Sequence, residues 1–372
     1  MRVIGLISGT SMDAVDVAVG DFALDGPTVV LRPVAHAEHP FPPELREPPT
    51  SAADLCVLDT RLGRLFASAA KEHEADLVAS LGQTVHHWVE DGRCLGTLQV
   101  GAPAWIAEAT GLPVVADFRV RDVAAGGHGA PLASTLDALW LAELGNAVAL
   151  NIGGIANITK ISPEGVIAYD TGPGNALMDA AMTVLSGGLR TCDVDGEFAA
   201  RGRVHQELLD RLLADPYYAR PAPKSTGKEH FNRAYLDRVT EGLVVQAEDF
   251  LATLTELTAR TIAAECAGAG VVIGSGGGMR NPVLVKSLRD KVELRTSDEL
   301  GLPADAKEAY LTALLGFLTW HGLPANVPSA TGASGPRLLG SITPGREPLR
   351  LPEPVTTAVT GLRVIGGHRA RT

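Results

Sequence analysis

No basic run occurs anywhere in this chain, and acidic residues outnumber basic ones, Asp+Glu 43 against Lys+Arg 32, for a formal net charge of −11. A nucleic-acid ligand requires a stripe of Lys and Arg that neutralises phosphates. DNA, RNA and anionic membrane surfaces are therefore not expected as partners. The cysteines are only Cys56, Cys94, Cys192 and Cys266, far apart and without a C-x-x-C pair, which argues against a zinc site and a disulfide framework. A reducing, cytoplasmic home is expected. No stretch reaches the roughly 18 uninterrupted apolar residues of a membrane span, and Ser8-Gly9-Thr10 cuts the first apolar run far short of a signal-peptide core. Aromatics make up only 5%, yet apolar residues reach 45% and charged residues 20%, too hydrophobic a mix for disorder. At roughly 150 residues per domain, the 372 residues correspond to about two domains.

What the chain does hold is glycine, 41 residues, clustered in short knots after apolar runs. Residues 2 to 7, and Val15, Val17 and Val19 alternating with Asp16 and Ala18, read as two strands around the turn Ser8 to Asp13. The Pro-rich stretch from Pro33 to Pro49 reads as unsuited to a regular interior element. Leu55, Leu58, Leu62, Leu65, Phe66 and Ala69 fall at helical spacing. Leu77 to Ala79 and Val114 to Ala116 read as strands, and Pro131 opens a helical pattern stopped by Gly145. A second hairpin signal spans Ala147 to Ile161, resembling the first in kind, which hints at a structural duplication. Downstream come a long loop (Asp215 to Asn232), a strong helix (Phe250 to Cys266), a strand (Val271 to Ile273) and a last helix (Ala304 to Trp320). Alternating strands and helices predict an α/β fold, with a boundary near residue 145 and domains 1–145 and 146–372.

Four Gly-rich or acidic turns follow strands: Ser8 to Asp13, Asn151 to Asn157, Tyr169 to Asn175 and Gly274 to Gly278. Glycine allows close backbone approach, so successive N–H groups can form an anion-binding concavity for which phosphate is the natural guest. An ordinary tight hairpin explains any one of them alone. Standard nucleotide motifs fail. Lys224-Ser225-Thr226-Gly227-Lys228-Glu229 has Glu229 where a Walker A loop needs Ser or Thr, and Gly274-Ser275-Gly276 reaches Met279 where the Rossmann fingerprint needs glycine. His86-His87 lacks further ligands at metal spacing. Asp13, Asp16 and Asp170 stand at or beside phosphate-type turns, which a divalent cation and a general base would explain. An exposed strand residue at Asp16 and a turn-initiating aspartate at Asp170 remain open readings.

Taken together, these features resemble the sugar kinase/Hsp70/actin superfamily. Within it, several strings resemble the anhydro-N-acetylmuramic acid kinase family: Gly5-Leu6-Ile7-Ser8-Gly9-Thr10-Ser11-Met12-Asp13, Gly82-Gln83-Thr84, Asp117-Phe118-Arg119, Ala124 to Leu132, Asn151-Ile152-Gly153-Gly154, Asp170-Thr171-Gly172-Pro173-Gly174-Asn175, Pro223-Lys224-Ser225-Thr226-Gly227 and Ser329-Ala330-Thr331-Gly332-Ala333. They run in order over nearly the whole chain. The resemblance implies a two-lobed actin-like or sugar-kinase ATPase fold, with duplicated RNase H-like domains around a nucleotide cleft. It also implies ATP- and Mg-dependent cleavage of the 1,6-anhydro ring of anhydro-N-acetylmuramic acid by water, with phosphorylation of O6, in peptidoglycan recycling. An ordinary hexose or N-acetylhexosamine kinase and a non-catalytic sugar sensor are the alternatives.

Carried over by motif, Gly9, Thr10, Ser11, Met12, Asp13, Ala14, Val15 and Asp16 would hold the ATP phosphates, with Asp13 on Mg directly or through water. Asn151, Gly153 and Gly154 would form the second phosphate face, and Gly276, Gly277 and Gly278 the adenosine loop. Asp170 would be the general base, with Glu308 a second carboxylate near the reaction centre. Gln83, Asp117 and Arg119 would bind the sugar, Arg119 through its lactyl carboxylate. The small-molecule amino sugar is the expected partner, with a homodimer as the only assembly considered. The chain departs from the family pattern at Leu81 (usually His), His128 (usually Gln) and Ala14 (usually Gly), which bears on substrate affinity more than on the catalytic core.

Overall fold

The computed structural model describes residues 1–9, 12 and 14–366. Its elements begin with β1 (Arg2–Ser8), β2 (Ala14–Asp25), β3 (Thr28–Pro40), α1 (Ala52–Ala70), β4 (Leu77–Ser80), β5 (Gln83–Glu90) and β6 (Arg93–Val100). Then come α2 (Pro103–Thr110), β7 (Val114–Ala116), α3 (Val120–Ala124) and α4 (Ala133–Trp140). The middle of the chain holds β8 (Ala147–Ile152), β9 (Ile155–Ser162), β10 (Gly165–Pro173), α5 (Ala176–Leu185), α6 (Gln206–Leu213), α7 (Arg233–Val239), α8 (Ala247–Glu265), β11 (Val271–Ser275), α9 (Pro282–Arg289) and β12 (Leu294–Thr296). It closes with α10 (Lys307–Trp320), α11 (Pro328–Thr331), β13 (Ser341–Thr343) and β14 (Gly361–Val364). Among the described residues no helix is long and apolar enough to cross a membrane.

The chain divides into two compact units, one of residues 1–143 with 300–372 and one of residues 144–299. The second unit thus ends at Glu299, whereas the sequence reading ran it to residue 372. The reason lies in small residues: a Cβ at Gly5 of β1 would meet Ala309 and Ala313 of α10, and one at Gly316 would meet Ala79 of β4. These glycines let α10 lie almost backbone to backbone on β1 and β4, and draw the C-terminal segment onto the first sheet.

Each unit repeats one topology. In the first, the strand order is β13-β7-β4-β1-β2-β3-β14. Its β1, β2 and β3 form an antiparallel meander, β4 lies parallel to β1, and β7 parallel to β4. In the second, the order is β10-β9-β8-β11-β12. There β8, β9 and β10 form the meander, β11 lies parallel to β8 and β12 parallel to β11. Strands β13 and β14 are edge additions to the first sheet. The duplication hinted at by two similar hairpins is therefore a repeat of five strands, carried by topology rather than by residue identity.

Local chemistry accounts for most elements. Ser51 accepts the N–H of Asp54 at 3.1 Å and caps α1, whose Leu58, Leu62 and Phe66 are buried at helical spacing. Ala147 to Leu150 are all at most 2% exposed, as a central strand covered on both faces requires. One reading changes: Pro33 stands inside β3. The β2–β3 register slips between Val19, opposite Ala35, and Gly20, opposite Pro33, so a bulge accommodates the proline. Strand β14 pairs with β3 only over Thr28 to Leu31, which leaves the proline-bearing half as an edge.

Candidate active site

In the second unit, the β8–β9 turn is held from beneath by the start of α5. The Gly153 carbonyl accepts the Asn175 N–H at 2.8 Å, and the Gly154 carbonyl accepts those of Gly174 at 2.9 Å and Ala176 at 3.0 Å. The carbonyls of this turn are thereby engaged on the α5 side. On its other side, Gly276 has φ +83, and a Cβ there would meet Asn151 Oδ1 and stand 2.9 Å from the Ile152 carbonyl, while one on Gly278 would meet the Ile152 side chain. The Gly276 to Gly278 segment thus packs closely on Asn151 and Ile152, about 125 residues earlier in the sequence. Gly277 faces open space.

Asp170 stands in β10, where the sequence suggested a turn. The β9–β10 register slips between Asp170 and Gly172, and Gly172 has φ +144, so the strand bulges at the aspartate. Its backbone is tied down on both sides, its N–H donating to the Lys224 carbonyl at 3.0 Å and its carbonyl accepting the Tyr217 hydroxyl at 2.7 Å. Its carboxylate Oδ2 accepts the Ser225 hydroxyl and the Thr226 N–H, each at 3.0 Å. Burial raises the Asp170 pKa, while those two hydrogen bonds pull it back. Beneath this loop the buried Lys224 pairs with Glu265 at 2.7 Å, and Glu265 also accepts the Tyr169 hydroxyl at 2.8 Å. The string Pro223-Lys224-Ser225-Thr226-Gly227 was visible in the sequence, but its role as the holder of Asp170 was not.

Lys228 is a second residue that sequence reasoning passed over, having weighed its Gly-Lys pair only as a failed Walker A loop. Its Cε occupies the place a Cβ on Gly154 would take, and its Nζ lies 3.3 Å from that place. The ammonium therefore hangs directly over the Asn151 to Gly154 turn. Nearby on α5, burial pushes the Asp179 carboxyl up to about 6, against the opposing pull of Lys228.

In the first unit, Met12 donates its N–H to the Gly9 carbonyl at 3.2 Å and has φ 52. Thr10, Ser11 and Asp13 lie outside the described residues. The Ser8 hydroxyl just before them is buried and has no hydrogen-bond partner among the described residues. Val15 is fully buried in the core and can offer a ligand only its backbone. Ala14 and Asp16 belong to β2, with Asp16 opposite Ile7 and Glu38.

The residues that the family resemblance assigns to the sugar also fall in the first unit. Gln83 is 3% exposed; its amide nitrogen donates to the Thr84 carbonyl at 3.1 Å, and its oxygen is buried without a partner. Asp117 has φ 61, and desolvation raises its pKa. Arg119 donates from Nη1 to the Gly129 carbonyl at 2.7 Å, with its Nε buried and unpartnered. Burial disfavours its charge, and Glu308 of α10 favours it. His87 is held below its ordinary pKa by desolvation, then by the charges of Arg119 and His86. The structure thereby gathers Arg119, Glu308 and His87 into one electrostatic neighbourhood. Leu81 is 5% exposed and donates its N–H to the Leu6 carbonyl at 2.9 Å, so its side chain serves the core.

Residues 1–345 match the anhydro-N-acetylmuramic acid kinase family. A protein of Streptomyces avermitilis named anhydro-N-acetylmuramic acid kinase is 57% identical over 374 residues, covering 95% of this chain and 97% of its own. Its namesake in Streptomyces coelicolor is 54% identical, covering 99% of this chain and 100% of its own. That of Rhodococcus erythropolis is 47% identical, covering 98% and 99%. The Asp170 loop, the paired glycine turns and the Arg119 neighbourhood all lie within the matched span, and the chain belongs to the anhydro-N-acetylmuramic acid kinase family.

Proposed function

We propose that this kinase uses ATP and water to open the 1,6-anhydro ring of 1,6-anhydro-N-acetylmuramic acid and to phosphorylate its O6, giving N-acetylmuramate 6-phosphate and ADP in peptidoglycan recycling. The observation that carries the reading is the Asp170 carboxylate, held by Ser225 and Thr226 on the strand that leads into the glycine turns. A general base needs hydrogen-bond reach and a fixed orientation, and this one has its orientation set before substrate arrives.

A 1,6-anhydro sugar has no free 6-hydroxyl, so O6 accepts phosphate only if its bond to C1 breaks. Water supplies the new C1 oxygen, Asp170 takes that water's proton, and O6 leaves toward the γ-phosphorus as the bond to ADP breaks. The proton passes from Asp170 to solvent. The N–H groups of the Asn151 to Gly154 turn and the ammonium of Lys228 stabilise charge on the phosphates, and Gly276 to Gly278 hold the adenosine. Arg119 takes the lactyl carboxylate, with Gln83 and Asp117 at the sugar hydroxyls and Glu308 as the second carboxylate.

Magnesium fits this scheme without a protein cage. It commonly binds through one or two carboxylates and substrate phosphates while retaining water, and among the described residues no three His, Cys, Asp or Glu cluster for a metal. Asp13, which lies outside the described residues, is the carboxylate we assign to it, and the ion when bound would neutralise phosphate charge. A cytoplasmic location suits the four free cysteines, and a second copy of the chain is the only protein partner the reading includes.

ADP release, measured with the anhydro sugar, with reducing amino sugars and hexoses, and with no sugar, tests the proposal. Turnover only with the anhydro sugar supports it. Preference for a reducing sugar points to an ordinary sugar kinase, and nucleotide binding without turnover points to a sensor.

A further inference from the structure

Asp122 of α3 is 0% exposed, and the mechanism above gives it no task. A buried carboxylate is costly unless its lone pairs are used. Here Oδ1 accepts the Asn326 amide at 2.7 Å and the Thr331 hydroxyl at 2.8 Å, and Oδ2 accepts the Gly129 N–H at 2.8 Å. The Thr331 carbonyl in turn accepts the His128 N–H at 2.8 Å, so the glycine loop of residues 124–131 is fastened to α11 around this one side chain.

The other end of the same glycine is also held. The Gly129 carbonyl accepts Arg119 Nη1 at 2.7 Å. Gly129 has φ +67, and a Cβ there would lie 3.0 Å from Val123 Cγ2 and 3.2 Å from Arg119 Cβ, so the residue rests against the base of the arginine and favours glycine on both counts. One residue is therefore gripped at its N–H by a carboxylate and at its carbonyl by a guanidinium, whose Nε is buried with no partner among the described residues.

We infer that Asp122 is a positioning residue for Arg119: by fixing the N–H of Gly129 it fixes the carbonyl that holds the guanidinium, leaving Nε as a donor for the carboxylate of the substrate. The inference rests on the reading that Arg119 meets that carboxylate. Preorganised donors bind tightly because their orientation is set in advance, so the effect should be felt in sugar affinity first. Asp122→Asn keeps the shape and the acceptor for Asn326 and Thr331, but sets an amide N–H₂ against the Gly129 N–H.

The test is a double-mutant cycle on steady-state kinetics, with thermal melting to confirm folding. Arg119→Ala should raise KM for the anhydro sugar about tenfold or more, and Asp122→Asn about tenfold, each with KM for ATP unchanged. In the Arg119→Ala background, Asp122→Asn should add less than about twofold. An equal additional loss there, or an Asp122→Asn variant with normal sugar KM, overturns the inference while leaving Arg119 in place. Normal sugar KM in Arg119→Ala overturns the reading beneath it as well. If Asp122→Asn does not fold, Thr331→Val removes one anchor of the same carboxylate and carries the cycle, with Thr331→Ser expected to restore wild-type KM and a Thr331→Ser KM as high as that of Thr331→Val counting against the inference.

Discussion

The Asp170 carboxylate accepts the hydroxyl of Ser225, 55 residues further along the chain, at 3.0 Å. The two residues meet because the segment bearing Ser225 is pinned twice, through the Asp170 N–H on the Lys224 carbonyl and through the buried Lys224–Glu265 pair. The proposed base is thus oriented by a loop rather than by its own strand, and both the chemistry and its pH dependence should depend on that loop.

Replacing the base is the bluntest test of its role. Asp170→Asn preserves shape and both backbone hydrogen bonds, so fold and nucleotide binding should survive. Its kcat should fall by roughly 10² to 10⁴, the contribution of a positioned general base. Single-turnover assays and ADP binding by calorimetry will separate the two, and near-normal kcat would make Asp170 a structural strand residue.

Ser225 offers a subtler test through pH. A base works only when ionised, so the acid limb of kcat follows the Asp170 pKa. Burial raises that pKa and the Ser225 hydroxyl opposes the rise. Ser225→Ala removes an opposing hydrogen bond, so the pKa climbs and the acid limb should move to higher pH. A pH–rate profile reads this directly; an unmoved limb would show that Ser225 does not act on the base.

Much of this architecture was legible in the sequence, and the failures share a cause. The hairpins at β1–β2 and β8–β9 and the helices α1 and α8 follow from periodicity and turn chemistry, which are local. Strand β3 was lost because Pro33 reads as a breaker, and only the bulge opposite Gly20 shows how it is absorbed. Asp170 reads as a turn residue in the sequence because Gly172-Pro173-Gly174 looks like a turn when its pairing with β9 is unseen. The return of residues 300–372 to the first unit depends on Gly5 accepting α10 and on Gly316 of α10 accepting Ala79 of β4, contacts between residues about 300 and about 240 apart. Asp122, Ser225 and Lys228 are illegible for the same reason: Asn326 and Thr331 beside Asp122, Asp170 beside Ser225 and Gly154 beside Lys228 come near only after folding.

Lys228 should matter to ATP rather than to the sugar. Its ammonium lies over Gly154, so Lys228→Ala should raise KM for ATP about tenfold, as expected for the loss of a charge-assisted contact to phosphate. Lys228→Arg should recover most of the loss, and KM for the sugar should not change in either variant. Equal KM for ATP in all three proteins would make Lys228 a surface residue that merely overhangs the turn.

The central claim is that one carboxylate couples hydrolysis of the anhydro bond to phosphoryl transfer, and isotope labelling addresses it most directly. The reaction is run in ¹⁸O-water and quenched early, with unlabelled product incubated in parallel to correct for exchange at the anomeric carbon, and the product is analysed by mass spectrometry of its fragments. The mechanism predicts one ¹⁸O on the C1 hydroxyl and none on the 6-phosphate. Early product without label at C1, or with label in the phosphate, would contradict it.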